Sequence, residues 1–200
     1  EITTRLVGSE MCIRDRIMSD DADDVEDITS ICGGLNINIG TLNKNTIPSM
    51  FLAGKKANAL GHIVLLDPVG AGASRLRTDT ANRLMQEVRF DAVRGNISEI
   101  KTLCTGSGST KGVDADAVDA VTEANLDNGV QLVKTFAAQT GCIIAVTGAI
   151  DLVSDGARCW CIRNGRAEMS RITGTGCQLS ALMTLSLIHI SEPTRRVVIS

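Results

Sequence analysis

The residues most suited to chemistry lie in segment 172–180, where a Gly-Thr-Gly turn leads into a helix of small and apolar residues. A helix start leaves backbone N–H groups without partners and carries a partial positive charge. Gly174 and Gly176 let the backbone approach a ligand and take positive φ. With Thr175 they predict an anion hole for a phosphate group, with Cys177 at its rim to exchange a proton or attack. A helix start with a buried cysteine is the alternative.

Asp67 is a second candidate, because it is the first residue after an apolar stretch, 62–66, of the kind found in parallel sheets. Ligands in open α/β sheets bind outside the carboxyl ends of the strands. A carboxylate at this place can hold a magnesium-bound water or a group of the substrate. The alternative is that it caps the turn that follows.

Arg94 ends the next short strand, predicted over 91–94, and Asn96 and Glu99 follow it. A guanidinium, an amide and a carboxylate at a strand end suit phosphate and Mg²⁺. Asn96 is also a good helix N-cap, and a glutamate three residues later completes a capping-box pattern. The sequence leaves both interpretations open.

Thr147 comes directly after a further apolar strand, predicted over 142–146. Its hydroxyl can hydrogen-bond a nucleotide phosphate there. No GxxxxGK[ST] loop occurs, and no GxGxxG follows the first predicted strand. Neither a Walker A loop nor a dinucleotide-binding fold is therefore supported. His62 opens a strand rather than closing one, which disfavours a Cys–His pair with Cys177.

The two ends of the chain are related through the genetic code. One DNA stretch encodes residues 6–16, its shifted reverse complement encodes 185–194, and the complementarity continues outward. The inner part resembles translated transposase-adapter sequence from DNA library preparation. We therefore interpret 1–16 and 185–200 as artefactual, and 17–184 as a core cut at both ends.

Composition indicates a globular domain, with 44% hydrophobic and 22% charged residues and a net charge of −3. Aromatic residues make up 2% and no basic stripe stands out, so the sequence predicts no nucleic-acid partner. No apolar run approaches the roughly 18 residues of a membrane span. Scattered cysteines without a CxxC pair suggest a reducing cytoplasm.

The order of elements predicts an α/β fold with a mainly parallel sheet and helices on both faces. Periodicity and turn residues predict helices over 20–32, 46–60, 78–88, 96–104 and 118–140 and from about 176, and a first strand over 35–39. Shorter, partly antiparallel strands are predicted over 151–154, 158–162 and 168–172.

Five motifs occur in order along the core: LDPVGAGAS, AVRGNISEI, KGVDA, AVTGAIDLVSDG and ITGTGCQLSAL. They resemble the hydroxyethylthiazole kinase family of the ribokinase-like superfamily, over essentially all of 17–184. The resemblance implies a three-layer α/β/α fold, incomplete here at both ends. It also implies transfer of the γ-phosphoryl of ATP to the hydroxyl of 4-methyl-5-(2-hydroxyethyl)thiazole, with Mg²⁺, in thiamine biosynthesis and salvage.

The resemblance assigns roles to single residues. Arg94 and Thr147 match ATP-binding positions, whereas Gly174 and Met18 match positions that contact the thiazole. Cys177 stands where most ribokinase-like enzymes have an aspartate base, and we expect its thiol to accept the proton of the alcohol.

The metal site comes from the same resemblance. Asn96 and Glu99 match the Asn-x-x-Glu magnesium motif of the superfamily, and Asp67 matches the acid of the family's LDP motif. We expect the anion hole to hold the transferring phosphoryl group.

The resemblance also implies a cytoplasmic location and, for the full-length family member, a homotrimer with active sites at subunit boundaries. Its partners are the thiazole alcohol and ATP, not nucleic acid or a membrane. A core without the family's terminal segments is expected to expose apolar surface and to show little kinase activity. The alternatives are another ribokinase-like kinase, of the hydroxymethylpyrimidine or pyridoxal type, and an inactive truncated nucleotide-binding fragment. A cysteine in place of the usual aspartate disfavours the former.

Overall fold

A computed structural model describes residues 17–106, 121–165, 168 and 174–191. In this part of the chain helices and strands alternate. The helices are α1 (Val25–Ile31), α2 (Thr46–Leu60), α3 (Arg75–Glu87), α4 (Ile97–Thr105), α5 (Leu126–Thr140) and α6 (Thr175–Ser191). The strands are β1 (Gly34–Asn38), β2 (Ile63–Asp67), β3 (Ala92–Gly95), β4 (Ile143–Val146), β5 (Asp151–Ser154) and β6 (Cys159–Ile162).

The strands of the described residues form one six-stranded sheet in which the spatial order equals the chain order. β1 to β4 are parallel, whereas β5 and β6 are added antiparallel. The predicted α/β class with a mainly parallel sheet is confirmed. Because the first four strands run the same way, the segments that follow them begin at one edge of the sheet.

Successive side chains of each strand point to opposite faces of the sheet. On one face, buried residues such as Leu66, Val93 and Ile144 form the main apolar core with residues of α2, α3, α4 and α5. On the other face α6 packs against β1 and β2. None of the described helices is long and apolar enough to cross a membrane.

Helix boundaries follow local capping. α2 has Pro48 in its first turn and ends at Gly61, whose φ of 70° is the left-handed conformation that glycine favours. The predicted helix over 46–60 is thus confirmed. α3 begins three residues before the predicted 78, because the Ser74 hydroxyl accepts a hydrogen bond from the Arg77 N–H and caps the helix there.

The helix predicted over 118–140 is wrong in its first part. Glu123–Asn125 form a 3-10 turn, and the α-helix begins only at Leu126. Thr122 and Asn125 form a capping box, in which the Asn125 Oδ1 accepts the Thr122 N–H at 2.7 Å. This reciprocal bonding fixes the chain outside the helix up to Thr122. Residues 118–120 lie outside the described part.

The last helix begins at Thr175, as predicted, and continues past residue 184 to Ser191. Residues 1–16 and 192–200, the KGVDA motif at 111–115 and all but one residue of the strand predicted over 168–172 lie outside the described residues. Residue 168 itself is not in a strand. The division of the chain at 17 and 184 remains a prediction.

Candidate active site

A polar cluster forms at the carboxyl edge of the sheet, where the first four strands end beside the start of α6. Asn38 and Asp67 are the last residues of β1 and β2 and are paired in register. Arg94 lies near the end of β3, and Thr147 follows β4. Cys177 arrives from the first turn of α6. Four of these residues were predicted as site residues; Asn38 was not.

The Asp67 carboxylate is fully buried, with 0% exposure. Its Oδ2 accepts hydrogen bonds from the Ser180 hydroxyl at 2.8 Å and from the Asn38 amide at 3.0 Å. Among the described residues Oδ1 has no hydrogen-bond partner and lies 3.7 Å from Arg94 Nη1. Burial raises the pKa of Asp67, against the opposing effects of Ser180, Arg94 and Asn38. Arg94 thus faces the one carboxylate oxygen that the hydrogen bonds leave open.

The Arg94 guanidinium links three elements. Its Nη2 donates to the Thr147 hydroxyl at 2.7 Å, and its side chain is only 12% exposed. A Cβ on Gly176 would lie 2.6 Å from Nη1 and 2.8 Å from Nη2. The start of α6 therefore packs directly on the guanidinium, and only glycine leaves room for this contact.

The predicted positive φ is found at Gly174 but not at Gly176, which is helical because it lies in the first turn of α6. Gly174 has a φ of 90°, and its carbonyl accepts the Gln178 N–H at 3.1 Å. Residues 175–177 form the first helical turn, where backbone N–H groups point away from the helix. The half-buried Cys177 thiol accepts a hydrogen bond from the Asn38 amide, with 3.2 Å between Nδ2 and Sγ. A positive helix end, a guanidinium and a thiol therefore adjoin one another.

Asn96 and Glu99 form the capping box that the sequence left as one of two interpretations. The Asn96 Oδ1 accepts the Glu99 N–H at 2.8 Å, and the Glu99 Oε2 accepts the Asn96 N–H at 2.7 Å. The Glu99 Oε1 also accepts the Gly70 N–H at 2.8 Å, which ties the loop after β2 to α4. Burial raises the pKa of Glu99, although the hydrogen bonds from the backbone N–H groups of Gly70 and Asn96 oppose the rise.

Comparison with known proteins decides the family. The model of the hydroxyethylthiazole kinase family matches residues 14–199. The chain belongs to this family. It is 58% identical over 171 residues to the hydroxyethylthiazole kinase of Clostridium acetobutylicum, covering 86% of this chain and 63% of that protein. For the Ruminiclostridium cellulolyticum kinase the identity is 47% over 167 residues, covering 84% and 60%. The chain thus spans about three fifths of the length of the curated relatives it matches.

Solved structures confirm the ribokinase-like fold. The hydroxyethylthiazole kinase of Pyrococcus horikoshii OT3 aligns with a TM-score of 0.74 at 32% identity, covering 86% of this chain and 61% of that one. A PfkB protein from Polaromonas sp. JS666 aligns with a TM-score of 0.56 at 16% identity, covering 84% and 51%. A Staphylococcus aureus pyridoxal kinase aligns with a TM-score of 0.54 at 18% identity, covering 84% of this chain and 58% of that one. These last two show only a shared fold.

The oxygen donors of the cluster fit a metal ion that arrives with a nucleotide. Mg²⁺ is commonly held by one or two carboxylates together with substrate phosphates rather than by an all-protein cage. Asp67 Oδ1 is unpartnered, and each Glu99 oxygen accepts a single backbone N–H among the bonds described above. Among the described residues no group of three or more His, Cys, Asp and Glu side chains could hold a metal ion. Binding of Mg²⁺ together with substrate phosphates does not require such a group.

Sequence analysis missed two contributors to the site, Asn38 and Ser180. Asn38 is a polar residue at a strand end, which is the signal that singled out Asp67. Ser180 lies one helical turn after Gly176, and its hydroxyl donates to the Gly176 carbonyl at 3.3 Å. It lies on the same face of the helix as Cys177. Met18 lies ahead of α1 and is 80% exposed, and its predicted thiazole contact remains a prediction.

Proposed function

We propose that the protein phosphorylates the hydroxyl of 4-methyl-5-(2-hydroxyethyl)thiazole with ATP, in thiamine biosynthesis and salvage. The observation that carries this proposal is the packing of Gly176 on Arg94, because it joins the anion-binding start of α6 to the residues assigned to ATP. Membership of the family supports the choice of substrate. The cytoplasm as location and a homotrimer as assembly belong to the same proposal.

Phosphoryl transfer requires positioning and charge stabilisation more than covalent chemistry. The backbone N–H groups at 174–177 cradle the transferring phosphoryl group, and their orientation is fixed by the helix before the reaction begins. Arg94 offsets negative charge on the phosphates. Thr147 holds the guanidinium in place through its hydroxyl and contacts the nucleotide.

Cys177 serves as the proton acceptor. The oxygen of the thiazole alcohol bonds to the γ-phosphorus while the bond from phosphorus to the ADP oxygen breaks. The hydroxyl proton passes to Cys177 in its thiolate form, which becomes a thiol, so that charge and atoms balance. The Asn38 amide lies 3.2 Å from the sulfur, and the start of α6 adds a partial positive charge beside it.

When bound, magnesium neutralises negative charge on the phosphates. Asp67 would hold it through its unpartnered oxygen. The side-chain oxygens of Glu99 and Asn96 would also contact the metal ion, through the lone pairs that the capping box does not use. The same box fixes the direction of both side chains, so the local cap and the metal role are compatible.

Calorimetric titration with ATP and with the thiazole alcohol tests the proposal, together with an assay of ADP release. Binding of both ligands is the expected result, and full turnover of the alcohol would refute the expectation that this core shows little kinase activity. ATP binding without thiazole binding would favour a different ribokinase-like kinase, which parallel assays with pyridoxal and hydroxymethylpyrimidine would reveal. If neither ligand binds, the chain is a non-catalytic fragment.

The assembly is tested separately. Met18 is 80% exposed, which agrees with a thiazole contact that is completed at a boundary between subunits. Light scattering behind size-exclusion chromatography is expected to give three times the mass of one chain. A monomer that turns over the alcohol would exclude the shared site but not the activity.

A further inference from the structure

Asn38 connects the two reactive side chains of the site. We propose that Asn38 is a positioning residue that aligns the Cys177 thiol with the Asp67 carboxylate through the two hydrogens of one amide nitrogen. Its consequence for turnover rests on the proposed function. The alignment itself does not, because it concerns groups of this chain alone.

The evidence begins with the amide nitrogen. Asn38 Nδ2 lies 3.0 Å from Asp67 Oδ2 and 3.2 Å from Cys177 Sγ. A carboxamide nitrogen carries two donor hydrogens and no acceptor. The carboxylate and the sulfur therefore take one hydrogen each, and both donors of Asn38 are used.

The amide oxygen fixes the orientation of the group. Asn38 Oδ1 accepts the Gly40 N–H at 2.8 Å. A flipped amide would face this N–H with its own donors and turn its oxygen toward Asp67. Only the orientation with nitrogen toward sulfur and carboxylate satisfies all three neighbours.

The backbone at Asn38 is also held firmly. The flanking residues Ile37 and Ile39 are 3% and 0% exposed. The Arg77 guanidinium donates to the Gly40 carbonyl at 2.8 Å, which secures the turn that follows. Asn38 therefore offers its donors from a rigid strand end, whereas Cys177 and Ser180 approach on a helix.

The two hydrogen bonds of the amide hold two different groups. The bond donated to the sulfur fixes the position of the Cys177 side chain beside the carboxylate. The second donor engages Asp67 Oδ2 and leaves Oδ1 directed to the side of Arg94, 3.7 Å away. Asn38 thus keeps a carboxylate and an electron-rich sulfur close together without direct repulsion.

Asn38→Asp is the decisive variant, because it changes donors and leaves the shape unchanged. An oxygen still accepts the Gly40 N–H, whereas the group that faces Cys177 and Asp67 becomes an acceptor. We expect the rate of Cys177 alkylation by iodoacetamide at pH 8, measured on its peptide by mass spectrometry, to fall about tenfold or more. Asn45→Asp makes the same chemical change at an exposed position before α2, and is expected to stay within about twofold of the unchanged protein.

A second variant separates positioning from folding. Asn38→Leu has a similar size but lacks donors and acceptors, so it removes the sulfur contact and the Gly40 contact together. Slower alkylation in both variants supports the proposal. If Asn38→Asp does not fold, by circular dichroism, the comparison rests on Asn38→Leu. Unchanged alkylation of Cys177 in whichever variant folds would overturn it.

Kinase assays connect the alignment to the proposed function. Asn38→Asp is expected to lower kcat for the thiazole alcohol about tenfold or more while KM changes less than threefold, because the sulfur acts in the transition state. Equal kcat would overturn the role in turnover. If the unchanged protein itself does not turn over the alcohol, the proposed function fails, and the alkylation rates still decide whether Asn38 aligns the thiol.

Discussion

Arg94 shows how single atoms define this site. Its guanidinium lies between a threonine hydroxyl, a buried carboxylate and the helix start that has no side chain at Gly176. Burying a charge is costly unless it is paired and hydrogen-bonded. Here one oxygen of Asp67 and Nε of Arg94 lack partners among the described residues. These two unpaired atoms support the proposed binding of a polar ligand at this site.

Cys177→Ala tests the proton acceptor. We expect kcat to fall about 10²- to 10⁴-fold, the range typical of a general base, while the melting temperature changes little because the thiol is only half-buried. Steady-state assays and thermal melts measure the two effects. Cys161→Ala, at another half-buried cysteine, is the control that should keep full turnover. Unchanged turnover in Cys177→Ala would remove this residue from the mechanism.

Gly176→Ala tests the contact between α6 and Arg94. The new Cβ would lie 2.6 Å from Nη1, so the guanidinium must shift relative to Thr147 and Asp67. We expect ATP affinity to fall about tenfold, equivalent to about 1.4 kcal/mol, with little loss of stability because alanine favours a helix. Calorimetric ATP titration measures it, with Gly129→Ala in α5 as the control for a glycine replaced in a helix. An unchanged ATP affinity would show that the guanidinium does not act on ATP from this position.

At the scale of elements, the ends of strands and helices determine where the site residues lie. The Asn96–Glu99 box begins α4 directly after β3, and Glu99 also receives the Gly70 N–H from the loop after β2. Two neighbouring loops are therefore tied together by one buried carboxylate. The cap and the geometry of the site depend on the same bonds.

Glu99→Gln tests this tie and its pH dependence. One amide N–H would face the Asn96 N–H, and we expect a loss of about 1 kcal/mol in the free energy of unfolding. Burial raises the pKa of Glu99 above its ordinary 4.5. The stabilisation that comes from this raised pKa is complete below 4.5 and is lost as the pH rises through the folded-state value.

The advantage of the unchanged protein over Glu99→Gln should therefore be greatest in acid and should shrink toward neutral pH. Urea unfolding between pH 4 and 7.5, with a chelator present, measures both proteins. An advantage that grows with pH would show that the carboxylate is stabilised, rather than penalised, in the folded protein.

At the scale of the whole molecule, one sheet brings together residues that are far apart in the sequence. The side chains of Asp67 and Ser180 meet although 113 positions separate them. The site forms only when β1 to β4 pair in register and α6 docks on their uncovered face. The main apolar core must therefore be stable before the site at the carboxyl edge of the sheet can form.

Ile144→Ala measures the strength of that core. Ile144 in β4 is 0% exposed, and we expect a loss of about 2–5 kcal/mol from the cavity that remains. Ile162→Ala in β6 makes the same change at a residue that is 38% exposed, and should cost less than about 1 kcal/mol. Urea unfolding compares them. Equal losses would show that burial in the core at Ile144 contributes no more to stability than the half-exposed position of Ile162.

Much of the fold could be predicted because its rules are local. Pro48 and Gly61 delimit α2, and the apolar stretch 62–66 is typical of a buried parallel strand. The start of α5 was misplaced because a helical pattern of apolar residues continues through 121–125, whereas the Thr122–Asn125 capping box stops the helix there. Periodicity reports which residues face the core, but hydrogen bonds decide where a helix begins.

By itself the sequence determined the family and the chemical groups at the strand ends, since motif order and residue type do not depend on folding. It also indicated Gly174, because a tight turn into a helix requires the φ of 90° that is found there. Only the tertiary structure decided that Asn38 and Ser180 join Asp67, and that Gly176 lies against Arg94. Contacts between residues 29 to 113 positions apart depend on strand register and helix docking, which no local pattern encodes.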